Sequence, residues 1–217
     1  MDWTPLWISL KTGFCATLFA FVLALFFAKL IFGLHNHKLK AVIDGIFMLP
    51  LILPPTVVGF LLLLFFGWNS PTGLLLRNMG IRIIFTWEAT VIASAVVAFP
   101  LIYQIIRASF EQIDTSLLNA GRTLGLSEWT IFRHIMLPAA RPGCIAGMIL
   151  GFARAMGEFG ATLMIAGNIP GKTRTIPLAI WCETEGNNMT AAAVWVTLLI
   201  IVSFLVIIPL NMYQKRP

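Results

Sequence analysis

Long apolar runs separated by short polar stretches dominate the pattern along this 217-residue chain. A helix needs about 20 mostly apolar residues to cross a hydrocarbon core, and five stretches come near that length with few charges. Thr12 to Ala28 has none and is bracketed by Lys11 and Lys29, whose stems can reach outward from its ends. Gly45 to Phe66 is also uncharged, although Pro50, Pro54, Pro55 and Gly59 interrupt it. Ala89 to Ile106 follows Trp87 and includes Pro100. Pro142 to Gly167 tolerates Arg154 and Glu158, and Thr190 to Met212 stops just before a basic tail. Segments 74–85 and 175–181 are too short to cross alone and read as external or re-entrant pieces, which leaves a sixth crossing open. The pattern predicts an all-α polytopic membrane protein of five spans. Nothing after the first run resembles a small-residue cleavage site, so it reads as a retained helix.

Composition supports this reading. Hydrophobic residues make up 59% and charged residues 11%, against roughly 45–50% and about 25% in soluble domains; such a chain could not cover itself with polar groups in water. The 15 Lys+Arg against 9 Asp+Glu give +6, but the cations are scattered among apolar runs and make no basic face of the kind that follows a phosphate backbone, which argues against nucleic acid as a partner. Alternating spans sort them instead. Lys29, Lys38, Lys40, Arg107, Arg122, Arg133, Arg141, Lys215 and Arg216 fall on one side, and Arg77, Arg82, Lys172 and Arg174 on the other, with Lys11 near its border. The richer side is cytoplasmic by the positive-inside rule, which puts the N-terminus outside and the C-terminus in the cytoplasm. Cys15, Cys144 and Cys182 offer neither a disulfide framework nor metal-ligand spacing. His35 and His37 flank Asn36 in a cytoplasmic turn and His134 stands alone, so the histidines read as solvated or interfacial.

The longest cytoplasmic connection, 107–141, is too amphipathic to be disordered. Leu117, Leu118, Gly121, Leu124 and Gly125 lie on one helical face. Ser127 can cap a second helix, with Glu128 near its positive end and Ile131, Phe132, Ile135 and Met136 on one side, before Pro138 ends it. Periodicity alone leaves two readings open: a surface helix pair packed on its own bundle or lying in the headgroups, or a docking element for a cytoplasmic partner.

Asn119-Ala120-Gly121, then Gly125, then Ile135 and Leu137-Pro138 resemble the loop of binding-protein-dependent ABC importer permeases, whose pattern is Glu-Ala-Ala, three residues, Gly, nine residues, Ile, one residue, Leu-Pro. The spacing matches at every step. The resemblance implies a type I importer permease fold and a loop whose helices sit in a groove of an ATP-hydrolysing subunit, so Asn119, Ala120, Gly121, Gly125, Ile135, Leu137 and Pro138 become the candidate coupling residues. Asn119 stands where the family has Glu and Gly121 where it has the second Ala, so the ion pair of the family's Glu does not carry over; glycines at 121 and 125 also allow a closer backbone approach.

The fourth run carries the next set of candidates. Gly143, Gly147 and Gly151 repeat at four-residue spacing and give a smooth face for close helix packing. Arg154 and Glu158 lie one turn apart in Arg154-Ala155-Met156-Gly157-Glu158-Phe159-Gly160-Ala161-Thr162, and an unpaired charge at mid-bilayer costs at least about 2.5–3.5 kcal/mol. They are expected to face the bundle or a watery cavity, as a structural pair, as lining of a transport route, or both. The stretch from Gly157 to Thr162, with 168–177 and 49–59, is similar to molybdate/tungstate permeases; sulfate/thiosulfate permeases share the Arg-x-x-Gly-Glu-Phe-Gly part. With Thr162, Pro54 and Pro55, Arg154 and Glu158 form the candidate pathway or gate. The proline breaks of the second run read either as the shape of a bent helix or as a flexible element beside the route, and they free backbone groups that neighbours or cavity water must satisfy.

Residues 166–173 satisfy a relaxed phosphate-loop pattern, but a span precedes them, Pro177 soon follows, and the charge count puts them outside; the match reads as coincidence. Asn188-Met189-Thr190 fits a glycosylation acceptor that an inner-membrane protein of a bacterium would not use. The resemblance runs from about Trp7 to Met212 and implies one membrane domain over 7–212, a coupling loop over 107–141 and a short cytoplasmic tail over 213–217. The implied partners are a second copy of the chain, two cytoplasmic ATP-binding subunits, an external oxyanion-binding protein and the bilayer of a bacterial inner membrane, with no catalytic site, cofactor or metal in the chain itself.

Overall fold

The computed structural model describes residues 2–34 and 36–214, with side chains through 208. His35, Lys215 and Arg216 therefore lie outside the described residues. The helices in order are α1 (Thr4–Phe32), α2 (His37–Ile52), α3 (Pro55–Phe66), α4 (Pro71–Asn78), α5 (Trp87–Glu111) and α6 (Thr115–Thr123). They continue as α7 (Glu128–Ile131), a π turn (Phe132–Met136), α8 (Leu137–Ala139), α9 (Arg141–Met156), α10 (Gly160–Ala166), α11 (Ile176–Glu185) and α12 (Met189–Gln214). Three segments, Thr4–Phe32, Trp87–Glu111 and Met189–Ile208, are long and apolar enough to cross a membrane, and two bent pairs, counted as one span each, bring the total to five among the described residues.

The core is the packing of α1, α5 and α9. Alanines 16, 20, 24 and 28 recur at every fourth position of α1 and are completely buried, so α1 can lie backbone-close on α5 over most of its length. The same logic holds for α9. A side chain at Gly143 would overlap Ser109 Oγ, and one at Gly151 would overlap Ile102, so the predicted smooth face is pressed against α5. Both ends of α1 are pinned: Thr12 and Thr90 share a hydroxyl hydrogen bond of 3.0 Å, and the Trp87 indole N–H donates to Thr12. Lys11 lies 3.9 Å from the centroid of Trp87, while Lys29 lies about 4.4 Å from those of Trp129 and Phe132. These are the two lysines expected to bracket the first span, and each settles on an aromatic face.

The second run does not form one bent helix. α2, capped by Asn36, whose carbonyl accepts from the amides of Lys38 and Leu39, turns by 111° into α3. Leu53 and Pro54 take extended backbone (ψ 143° and 136°), because a residue preceding proline is pushed out of the helical region; two prolines in series do this twice. Pro55 then starts α3 at a position where its missing N–H costs nothing.

The fourth run also departs from the expected continuous helix. α9 ends at Met156, and α10 starts only at Gly160. α10 crosses α3 so closely that a Cβ on Gly59 would sit 2.7 Å from Ala161 Cα. The segments α4 and α11 occupy the two stretches read as external or re-entrant pieces. α4 is capped by Ser70, whereas α11 buries Ile176, Leu178 and Ala179 beside α12 and α1.

Candidate coupling and translocation sites

The cytoplasmic connection folds into a helical hairpin. Asp114 caps α6 by accepting from the Ser116 amide at 2.8 Å, and Ser127 caps α7 by accepting from the Thr130 amide at 3.2 Å. The turn between them is closed by Gly125 at φ +76°. Its amide donates to Arg122 O and the Leu126 amide to Gly121 O, the pair of bonds that ends a helix around a left-handed residue. Gly125 has open space around it, whereas a Cβ at Gly121 would meet Ile131 and Ile135 at 3.2 Å. Within the chain, Gly121 serves a close approach, and Gly125 supplies backbone handedness. Arg122 ties the hairpin together through Glu128 at 2.7 Å and Asn119 at 3.0 Å. The guanidinium beside it holds the Glu128 carboxyl below its ordinary value.

The expected inward face of α6 is split. Leu118 and Gly121 are buried against the α7 segment, but Leu117 and Leu124 are 53% and 79% exposed, and Leu126 and Trp129 are exposed beside them. On α7 and the π turn, Ile131, Phe132 and Met136 turn inward as expected. Pro138 does not end that helix. The π turn runs just before it, so the wider turn accommodates a residue with no amide to give; the chain then bends by 69° at Ala140 into α9. Of the candidate coupling residues, Asn119, Ala120, Gly125 and Pro138 are exposed, Gly121 is buried, and Ile135 and Leu137 are half-buried.

The charged pair sits at the break between α9 and α10. Arg154 Nη1 lies 3.0 Å from Glu158 Oε2, and Glu158 Oε1 accepts from the Ala161 amide at 2.8 Å. One carboxylate therefore neutralises an arginine and closes the positive end of the next helix, which explains how Glu158 can be 2% exposed. Gly160 packs against Pro55 and Thr56, where an added Cβ would come within 3.2 Å of both. The two helix breaks, α2 to α3 and α9 to α10, thus meet. Gly160, two residues after Glu158, brings the start of α10 onto Pro55, while Arg154 joins the break through Glu158; Thr162 lies in the first turn of α10, buried with its hydroxyl unpartnered.

The loop before α11 confirms that the phosphate-loop pattern is coincidental. The amides of Lys172, Thr173 and Arg174 all turn onto Ile169 O, and Arg174 Nε donates to Asn168 Oδ1 at 2.8 Å, so the loop amides are spent on the loop itself. Among the described residues no cluster of three or more His, Cys, Asp or Glu could hold a metal.

Sequence reasoning missed a polar cluster joining α2 to α5: Lys40, Asp44, Tyr103, Arg107 and Glu111. Arg107 pairs with Asp44 and, at 3.2 Å, with Glu111; Lys40 pairs with Glu111 at 3.0 Å; the Tyr103 hydroxyl donates to Asp44. The available signal was Asp44 and Lys40 at four-residue spacing just ahead of an uncharged run.

A family model for binding-protein-dependent transport system inner membrane components matches residues 16–216. The putative molybdenum transport system permease protein YvgM of Bacillus subtilis (strain 168) is 49% identical over 169 residues, 77% of this chain and 74% of that one. The molybdenum transport system permease protein ModB of Escherichia coli (strain K12) is 43% identical over 194 residues, 88% of this chain and 84% of that one. The sulfate transport system permease protein CysT of the same organism is more distant, 29% identical over 209 residues, 96% of this chain and 75% of that one. The fold is that of a chain from an inward-facing structure of the MetNI methionine ABC transporter, with a TM-score of 0.73, 19% identity and coverage of 97% of this chain and 93% of that one.

Proposed function

Since the chain belongs to the family of binding-protein-dependent transport system inner membrane components, we propose that it is the membrane-spanning permease of an ATP-driven importer whose cargo is a tetrahedral oxyanion, molybdate or tungstate. The observation that carries the cargo assignment is the identity of 49% and 43% to two molybdenum permeases over most of the chain, against 29% to a sulfate permease. Sulfate is the second reading, because the sulfate relative aligns over 96% of the chain.

In this reading two copies of the chain pair, and each presents its 107–141 hairpin to a cytoplasmic ATP-binding subunit. The exposed Leu117, Leu124, Leu126 and Trp129 support that docking, since four large apolar side chains on one hairpin are costly to leave in water. Asn119, Ala120, Gly121, Gly125, Ile135, Leu137 and Pro138 shape the docking element. ATP binding closes the ATPase pair, draws the hairpins together and turns an inward-facing cavity outward, where an external binding protein delivers the anion. The N-terminus faces outside and the C-terminus the cytoplasm. Arg154, Glu158, Thr162, Pro54 and Pro55 form the gate region, with Glu158 fixing the break and Arg154, partly exposed, offering an approaching anion the guanidinium N–H donors that its pair with Glu158 does not use. The chain itself hydrolyses nothing; specificity resides in the binding protein, so the route needs potential and hydrogen-bond donors more than a tight site.

Competition uptake tests this. Cells carrying the transporter should take up labelled molybdate in an ATP-dependent way, with excess tungstate competing strongly and excess sulfate weakly. Equal competition by sulfate would move the assignment to the sulfate reading. ATP hydrolysis by the purified chain alone at the rate of the assembled complex would overturn the permease assignment.

A further inference from the structure

The polar cluster between α2 and α5 has no part in either candidate site, yet the helices it joins lead from the coupling hairpin to the α3 side of the gate, a second connection beside the one that α9 makes to Arg154. α5 passes from Arg107 and Glu111 through Gln112 and Ile113 to the Asp114 cap of α6, so the cluster stands about one turn ahead of the coupling hairpin. α2 runs from Lys40 and Asp44 to the 111° corner at Leu53 and Pro54, where α3 meets α10. None of the residues of α2 is fully buried, so its attachment to the bundle depends on few contacts. Phe47 packs edge-on against Phe27, Phe99 and Tyr103 and Ile43 lies against the same core; the charge cluster adds the polar attachment.

Its chemistry suits a rigid joint. Asp44 and Arg107 keep only 19% and 20% of their side-chain surface in water. Separating two such ions leaves each poorly solvated, so helices joined this way move together. Glu111 draws Lys40 and Arg107 to one carboxylate, and the Tyr103 hydroxyl, which donates to Asp44, lies 3.5 Å from Arg107. The joint is therefore a branched network spanning both helices.

Building on the importer reading above, we infer that Asp44 is a positioning residue: through Arg107 it fastens α2 to α5 so that displacement of the coupling hairpin is carried along α2 to the corner at Pro54 and the crossing of α3 with α10. Without the joint, α5, the hairpin and α9 can move while α2 and the corner at Pro54 stay behind, so the two halves of the gate fall out of step and ATP is hydrolysed with little transport.

The experiment is the ratio of ATP hydrolysed to molybdate accumulated, measured in proteoliposomes holding the full complex of permease, ATPase subunits and binding protein. Asp44→Asn keeps the shape and removes the charge. It is expected to keep hydrolysis within about twofold of wild type while raising the ratio at least fivefold. The exchange Asp44→Arg with Arg107→Asp restores the α2–α5 pair while losing the Arg107 contact to Glu111, and is expected to bring the ratio down at least twofold from that of Asp44→Asn. An unchanged ratio in Asp44→Asn overturns the inference, and so does an exchange that leaves the ratio high. Should Asp44→Asn fail to co-elute with the ATPase subunits, Tyr103→Phe and Glu111→Gln each remove one partner of the network and are expected to raise the ratio at least twofold; no rise in either overturns it. The two readings fail separately: a wild-type complex that accumulates no molybdate with ATP counts against the cargo assignment, whereas a wild-type complex that transports while Asp44→Asn behaves identically counts against the joint alone.

Discussion

The carboxylate of Glu158 does two jobs at once, and its removal should cost more than a surface charge would. Leaving Glu158 buried without Arg154 strands an anion; breaking a buried pair typically costs about 3–5 kcal/mol. Arg154 retains 29% side-chain exposure, which moves the expectation toward the lower end. Arg154→Met should therefore lower the thermal midpoint of the purified complex clearly, and adding Glu158→Gln should recover part of the loss, because the second change removes the stranded charge while an amide oxygen can still accept from the Ala161 amide. A double change that is additive would show that the two residues act independently. Gly125 makes a different prediction. At φ +76° an L-residue pays about 1–2 kcal/mol, more if β-branched, although the space around it is open. Gly125→Val should weaken co-elution with the ATPase subunits and reduce uptake, with Gly125→Asn intermediate, since Asn tolerates the left-handed region.

At the level of elements, the hairpin and the two broken helices follow from local chemistry to different degrees. The crossing of α3 and α10 rests on Gly59, where a Cβ would fall 2.7 Å from Ala161. Gly59→Leu should force the helices apart at an overpacking cost of about 1–3 kcal/mol, read as lower yield of folded complex, while the same change at Gly45, which has open space around it, should be tolerated. The five apolar runs, the cap at Ser127 and the α9 glycine face were legible in the sequence because periodicity and cap chemistry are local. The break after Met156 was not. Gly157 fits either a helix interior at modest cost or a helix end, and what decides is the Glu158 carboxylate reaching the Ala161 amide, a choice between two hydrogen-bonding arrangements that spacing cannot rank. The π turn was hidden for a similar reason: Pro138 signals trouble for the helix, but whether the chain stops or widens depends on the packing of Phe132 and Met136. The Asp44 cluster depends on which helices become neighbours, and residues 59 apart in sequence give no periodic sign of it.

For the whole molecule, the proposed orientation can be checked by labelling. In a chain whose three native cysteines are replaced, Lys172→Cys should react with a membrane-impermeant maleimide added outside, and Thr123→Cys only after permeabilisation; the reverse pattern would invert the topology drawn from the cations. The bend at Ala140 has a mechanical consequence. The hairpin is braced on three sides, by the left-handed turn at Gly125, by Arg122 on Glu128, and by Gly121 seated against Ile131 and Ile135. A piece braced in this way acts as a crank arm. Set at 69° to α9, it would convert a sideways push on α6 into torque about Ala140, so in the proposed importer a small stroke at the ATPase becomes a tilt of the shaft whose far end carries Arg154.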